Sequence, residues 1–221
     1  QEISHGNIVS VEKSDLNAQK PYLLMEYLCG GSLEQKLDKG YLFSVGAALD
    51  VAEAMCRALH YIHQHKIVHR DVKPGNILIH EDGSYKLADL GLARIYDEVN
   101  GDLTLSQTAL GTPYYIAPEQ ATNARDADIR SDIYSLGATL YHCLTGQTVH
   151  SGSGLEVLMK QVNESIISPQ KFNKNIPDNF CAVLMRMLER DPLERYQTPE
   201  NLSRDLERIR ASAPVEELEK R

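Results

Sequence analysis

Long apolar runs are missing from this sequence. The uninterrupted ones are short, such as Tyr22-Leu23-Leu24-Met25, against the roughly 20 residues that a membrane-crossing helix needs, so no membrane segment is expected in it. Positive charge is scarce too. The 23 Lys and Arg face 31 Asp and Glu, a net charge of −8 that gives no broad basic field for a nucleic acid backbone, and nucleic acid is not an expected partner. Cys29, Cys56, Cys143 and Cys181 contain no Cys-x-x-Cys pair and lie in apolar or helical surroundings, where a thiol acts as a small hydrophobe. Disulfides are therefore not expected, and a reducing, cytoplasmic compartment is. No basic segment leads into an apolar stretch after Gln1, so a secretory signal is not expected either.

The composition is that of a globular protein, with 42% hydrophobic and 24% charged residues, enough for one sizeable core. Ile8-Val9-Ser10-Val11 and Tyr22 to Glu26 read as short strands joined by a polar loop over 12–21. Ser32 is placed to cap a brief helix carrying Leu33 and Leu37, which Gly40 stops. Ala48, Val51, Ala52, Met55, Leu59 and Ile62 recur at three- and four-residue spacing and predict a long amphipathic helix. Ile77-Leu78-Ile79 and Tyr85-Lys86-Leu87 flank Asp82-Gly83, a dipeptide suited to a tight hairpin turn. From Ala93 to Tyr115 no hydrophobic period persists, and a long polar loop of a usually functional kind is expected. Ile133, Leu136, Leu140 and Leu144 predict a helix apolar around much of its circumference, suited to a core. Phe180, Leu184, Met187 and Leu188 predict another. Thr198-Pro199 then opens a last helix through Leu202, Leu206 and Ile209, before an exposed tail over 211–221.

Between the long helix and the hairpin lies His69-Arg70-Asp71-Val72-Lys73-Pro74-Gly75-Asn76, and Asp89-Leu90-Gly91 follows the hairpin. Asp71 and Asn76 share one short loop and Asp89 returns after a strand-turn-strand stretch, so oxygen ligands and a base can converge on a polyphosphate and its metal. Phosphoryl transfer asks a protein mainly for positioning and charge stabilisation. Asp71 suits the proton of an incoming hydroxyl, Lys73 the transferring phosphoryl group, and Asn76 with Asp89 a magnesium ion. Asp and Asn alone are common turn residues; the joint arrangement carries the chemistry. His60, His63, His65 and His69 crowd one stretch, but no Cys or carboxylate joins them at ligand spacing. Histidines at the negative end of a helix are the simpler reading.

These motifs resemble a protein kinase, and the resemblance runs through nearly the whole chain. His69-Arg70-Asp71 to Asn76 is similar to the catalytic loop, Asp89-Leu90-Gly91 to the magnesium-binding turn, and Ala117-Pro118-Glu119 to the end of the activation segment. Val72 and Leu90 replace the family's usual Leu and Phe. The resemblance implies an α+β, protein-kinase-like fold: residues 1–28 as the last strands of the small lobe and the hinge, 29–210 as the helical large lobe. It implies ATP and Mg2+ as cofactors. Met25 falls at the gatekeeper position, Glu26 to Leu28 at the hinge, and Leu78 at the floor of the adenine pocket. Asp132 matches the residue that braces the catalytic loop, and Arg195 the partner of Glu119.

Lys73 and Thr112, within Gly111-Thr112-Pro113, resemble serine/threonine kinases, so protein substrates with Ser or Thr hydroxyls are implied. Arg70 beside Asp71 resembles kinases whose activation loop is ordered by phosphorylation, with Thr104, Ser106 and Thr108 as candidates against the reading of ordinary loop hydroxyls. The run from Asp128 to Gly137 resembles the bacterial branch. The family's glycine-rich loop, small-lobe lysine and its glutamate partner belong before His5. Lys13 and Lys20 do not match that lysine, and Gly30-Gly31 reads as a turn into the short helix. The expectation is that residues 1–221 alone bind Mg-ATP weakly and turn over little. The alternative is a catalytically inactive kinase-like scaffold; a small-molecule kinase is a further possibility, opposed by Ala117-Pro118-Glu119 and Asp132.

Overall fold

Two serines start the first two helices. Ser32 accepts the backbone N–H of Gln35, and Gln35 returns its side-chain oxygen to the Ser32 N–H, closing a capping box on α1 (Leu33–Asp38). Ser44 does the same one-way for α2 (Val45–Gln64), whose apolar stripe is buried from Ala48 to Ile62. The computed structural model describes residues 3–15, 18–90, 113–123 and 126–212. The predicted helices and strands appear within it, with four differences, while most of the loop expected over 93–115 and of the tail expected over 211–221 lies outside the described residues.

The first strand is displaced. β1 is Val11–Asp15, antiparallel to β2 (Tyr22–Met25), and so takes in residues that look like loop in the sequence. Ile8 and Val9, the apolar part of the expected strand, are buried instead beside the later hairpin, where the Val9 N–H donates to Leu87 O at 2.9 Å. Polar residues 12–15 are in a strand because β2 satisfies their backbone, not because a face is buried: every residue of β1 and β2 is exposed. The second and third differences are two helices without a matching expectation, α3 (Pro118–Thr122) and α5 (Gly154–Asn163). The fourth lies at the end, where the last helix runs on through Ser212 into the expected tail, with Ser212 Oγ donating to Ile209 O.

The hairpin is β3 (Ile77–Ile79) with β4 (Tyr85–Leu87), in register Ile77 to Leu87 and turned at Gly83, whose φ is 83°. The hairpin packs on α2, and deeper in the body lies α4 (Ile129–Thr145), in which every residue except Arg130 and His142 is buried. The expected core helix is thus the centre of the helical body. α2 packs on α4 on one side and on α7 (Pro199–Ser212) on another, while α6 (Asp178–Met187) packs on both α4 and α7. One core cluster joins Leu33, Leu59, Ile77, Ile133, Leu184 and Leu206 among others, so the catalytic loop and the hairpin rest on the same packed body. Among the described residues no helix is long and apolar enough to cross a membrane.

Candidate active site

The loop between α2 and β3 carries the candidate chemistry, and it is fixed from beneath. Asp132, wholly buried in the first turn of α4, accepts the His69 N–H on Oδ2 at 2.8 Å and the Arg70 N–H on Oδ1 at 2.7 Å. Burial pushes the Asp132 carboxyl up, while those two N–H groups oppose it by favouring the ionised form. The His69 ring is buried and bonded at both nitrogens: Nε2 meets Ala88 O at 2.8 Å, and Nδ1 accepts the Asp71 N–H at 3.2 Å. A carbonyl on Nε2 and a donor on Nδ1 assign the proton to Nε2.

Ala88 connects the second half of the site. Its N–H donates to Asn76 O at 2.8 Å and its carbonyl takes the His69 ring, so Asp89 follows a residue locked to the catalytic loop at both ends. Asp89 has φ 64° and Arg70 φ 67°, two of the three left-handed non-glycine residues among those described. Such positions cost on the order of 1–3 kcal/mol and persist only where surrounding bonds overdetermine them. Here the bonds to Asp132 and Ala88 do so.

At the centre, Asp71 Oδ2 receives Lys73 Nζ at 2.7 Å and Asn76 Nδ2 at 2.9 Å. Asn76 Nδ2 also donates to Asp71 O at 2.8 Å. Asn76 is buried, and all of these bonds use its nitrogen, so its carbonyl oxygen points elsewhere as a hard ligand. The short 3-10 turn Pro74–Asn76 sets this geometry by closing the Asn76 N–H onto Lys73 O at 3.0 Å. Asp71, Lys73 and Asn76 are therefore one bonded unit, with exposed Asp89 tied to it through Ala88.

Leu28 and Leu78 meet Val9 and Ala88 in a separate small apolar cluster beside the loop. Met25 and Glu26 lie outside that cluster. Met25 is exposed in β2, and the Glu26 carboxylate accepts Lys86 Nζ on both oxygens, at 2.8 and 2.7 Å, and the Ser10 N–H. Burial would raise the Glu26 pKa, but these bonds outweigh it and hold the carboxyl below its ordinary range. The backbone approaches closely here. A Cβ on Gly30 would stand 2.5 Å from Ile79 O, so only glycine lets the segment after Leu28 lie on β3. Gly30-Gly31 is thus the turn into α1, as expected.

Glu119 and Arg195 form the second support. The guanidinium is buried and spends all five N–H groups: two on the Glu119 carboxylate at 2.7 Å each, the others on Glu189 O, Arg130 O and Arg190 O. Burial opposes ionisation of Glu119, but the Arg195 pair prevails and lowers its pKa. Sequence reasoning missed three helpers. Ser131 Oγ donates to Glu119 at 2.6 Å, Gln120 Nε2 donates to Arg70 O at 3.2 Å, and Lys86 pairs with Glu26. Ser131 carries a signal in hindsight, three residues after the helix cap Asp128. Thr104, Ser106, Thr108 and Thr112 lie outside the described residues, so no position is assigned to them.

The protein kinase domain family matches residues 1–206 of the chain. Serine/threonine-protein kinase PknB of Mycobacterium tuberculosis is 36% identical over 219 residues, 97% of this chain and 35% of that protein. PknB of Mycolicibacterium smegmatis is 34% identical over 212 residues, 94% and 34%, and a probable serine/threonine-protein kinase of Clostridium perfringens 34% over 214, 96% and 31%. The chain spans about a third of the length of these curated relatives. With the match extending over almost every residue and the catalytic loop braced as described, the chain belongs to the protein kinase family, among relatives that are bacterial serine/threonine kinases.

Proposed function

We propose that this chain carries the catalytic large lobe of a serine/threonine protein kinase, transferring the γ-phosphoryl group of ATP to Ser or Thr hydroxyls of proteins. One observation carries the reading: Asp71, Lys73 and Asn76 are hydrogen-bonded into a single unit on a loop whose backbone is held by buried Asp132. Positioning is most of what this chemistry requires from a protein, and that arrangement supplies it.

The roles follow from which atoms are already used. Asp71 Oδ2 is occupied by Lys73 and Asn76, so Oδ1 takes the proton from the acceptor hydroxyl as its oxygen bonds to the γ-phosphorus and ADP leaves. Lys73, half-buried beside it, neutralises charge on the transferring group. The donor set fits magnesium: the Asn76 carbonyl oxygen and the Asp89 carboxylate are hard oxygens brought to one end of the β3–β4 hairpin. Bound there, the ion would neutralise phosphate charge. Leu28 and Leu78 form the apolar floor for the adenine ring, next to the Glu26–Leu28 backbone. Residues 1–28 supply the nucleotide-side wall, and Thr104, Ser106, Thr108 and Thr112 belong to the segment that presents protein substrate. The site works in a cytoplasmic, reducing setting.

Acid hydrolysis after incubation with γ-labelled ATP and Mg2+ tests the acceptor class. Label is expected in phosphoserine and phosphothreonine, and chelation of Mg2+ before the incubation is expected to prevent its incorporation. Label confined to phosphotyrosine, or none from the full reading frame, would contradict the reading.

A further inference from the structure

Tyr134 Oη and Gln161 Oε1 are both buried and have no hydrogen-bond partner among the described residues, and both residues line one cavity of about 390 Å³. The cavity lies away from Asp71, between α3, α4, α5 and α6. A buried donor or acceptor left unpaired is destabilising. Two in one wall mark a place that a polar partner completes.

The chemistry of the two atoms is fixed by their surroundings. Gln161 Nε2 donates to Pro113 O at 2.9 Å, which assigns Oε1 as the unpaired atom, an acceptor that needs a donor. The Tyr134 ring lies 4.9 Å from the Arg195 guanidinium, whose N–H groups are all spent, and burial raises its phenol pKa, so the hydroxyl stays protonated and able to donate. Pro118, Ile166, Met185 and Leu188 supply the apolar part of a mixed lining, with Gln161, Ser165 and the rim residues supplying the rest. At the exposed rim stand Glu164, Glu189 and Arg190, whose guanidinium donates to Glu164 O, so both signs of charge are present there and the preference for a neutral ligand rests on the uncharged Tyr134 and Gln161 groups inside. The volume is within the range of small-molecule sites, and a mixed lining suits a ligand that has both a carbon body and a polar group.

We propose that this cavity binds a small neutral carboxamide with an apolar body, its N–H donating to Gln161 Oε1 and its carbonyl accepting from Tyr134 Oη. The site is separate from phosphoryl transfer and does not rest on that reading. Because Gln161 also holds Pro113, an occupant would tie α5 more firmly to the residues leading into Glu119.

Benzamide titrated into methyl-labelled protein from the full reading frame, followed by NMR at Met185 and Ile166, tests the site. Saturable shifts are expected. Tyr134→Phe should weaken benzamide roughly three- to tenfold, the loss of one neutral hydrogen bond, without lowering the melting temperature, since the deleted hydroxyl has no protein partner. Ile166→Trp should block the cavity mouth and abolish the shifts, and benzoate or benzylamine should bind more weakly than benzamide. Shifts that never saturate, equal affinity in Tyr134→Phe, benzoate or benzylamine binding as well as benzamide, or a lower melting temperature for Tyr134→Phe would each overturn the proposal. A cavity that holds only water gives the first of these results.

Discussion

The Asp132 carboxylate accepts the Arg70 N–H at 2.7 Å, and Arg70 is in the left-handed backbone region at φ 67°. A strained residue beside Asp71 is thus held by a buried charge that has itself no solvent. The two features depend on each other: without Asp132 the loop loses the acceptor that repays its strain, and without the loop's N–H groups the carboxylate is unpaired.

Asp132→Asn should therefore be severe. The amide keeps one acceptor and turns its NH2 toward the second backbone N–H, losing one charge-assisted bond and creating a clash of donors. A loss of about 2–4 kcal/mol in unfolding free energy is expected from urea titration. A fall in kcat larger than any rise in the KM for ATP is expected too, because Asp71 is misplaced while the Leu28–Leu78 cluster is untouched. An unchanged urea midpoint would contradict this account.

Arg195→Lys tests whether planar geometry matters. A lysine has three donors where the guanidinium fills five, so Glu119 and the carbonyls of Glu189, Arg130 and Arg190 cannot all be satisfied. Loss of about 3–5 kcal/mol is expected, as for other broken buried pairs, read from the same titration. A loss within experimental error of zero would show the pair to be dispensable.

Glu119 also sets a pH dependence. Its pKa in the folded protein is below the ordinary 4.5, so the unfolded chain binds its proton first. The stability it contributes is fully present above about pH 4.5 and drains away as pH falls through the folded value. Unfolding free energy measured at a series of pH values below 5 should fall more steeply in the wild type than in Glu119→Gln. Parallel profiles would count against it.

Gly137→Ala sets two effects against each other. Alanine favours a helix over glycine by about 1 kcal/mol. Its Cβ, however, would lie 2.9 Å from Met187 Cβ, an atom fixed to the α6 backbone that cannot swing away. Overpacking of that kind costs about 1–3 kcal/mol, so net destabilisation is expected and a raised melting temperature would contradict it.

Periodicity made the helical body legible, because α2, α6 and α7 each bury one apolar stripe and α4 is buried nearly all round in the same core. α5 escaped for a physical reason: Leu155 and Met159 are exposed, so its apolar residues do not mark one buried face, although Ser153 and Glu156 form a capping box that could have revealed it. β1 escaped because its residues are polar and its pairing with β2 is a backbone matter. In the candidate site, residue types and spacing singled out Asp71, Lys73, Asn76 and Asp89, and the structure bonds the first three into one unit. The contacts of Ala88 could not be read in advance, since they are made by its main chain and depend on the hairpin register.

The most direct test of the central claim is phosphate transfer to a Ser/Thr protein substrate by Asp71→Asn, expressed from the full reading frame and compared with the wild type. Asparagine preserves the size of the side chain and an oxygen for Lys73 but removes the base. The account predicts a fall in kcat of at least about a hundredfold, in line with loss of a general base, with affinity for Mg-ATP nearly unchanged. A variant that retains wild-type kcat would contradict it.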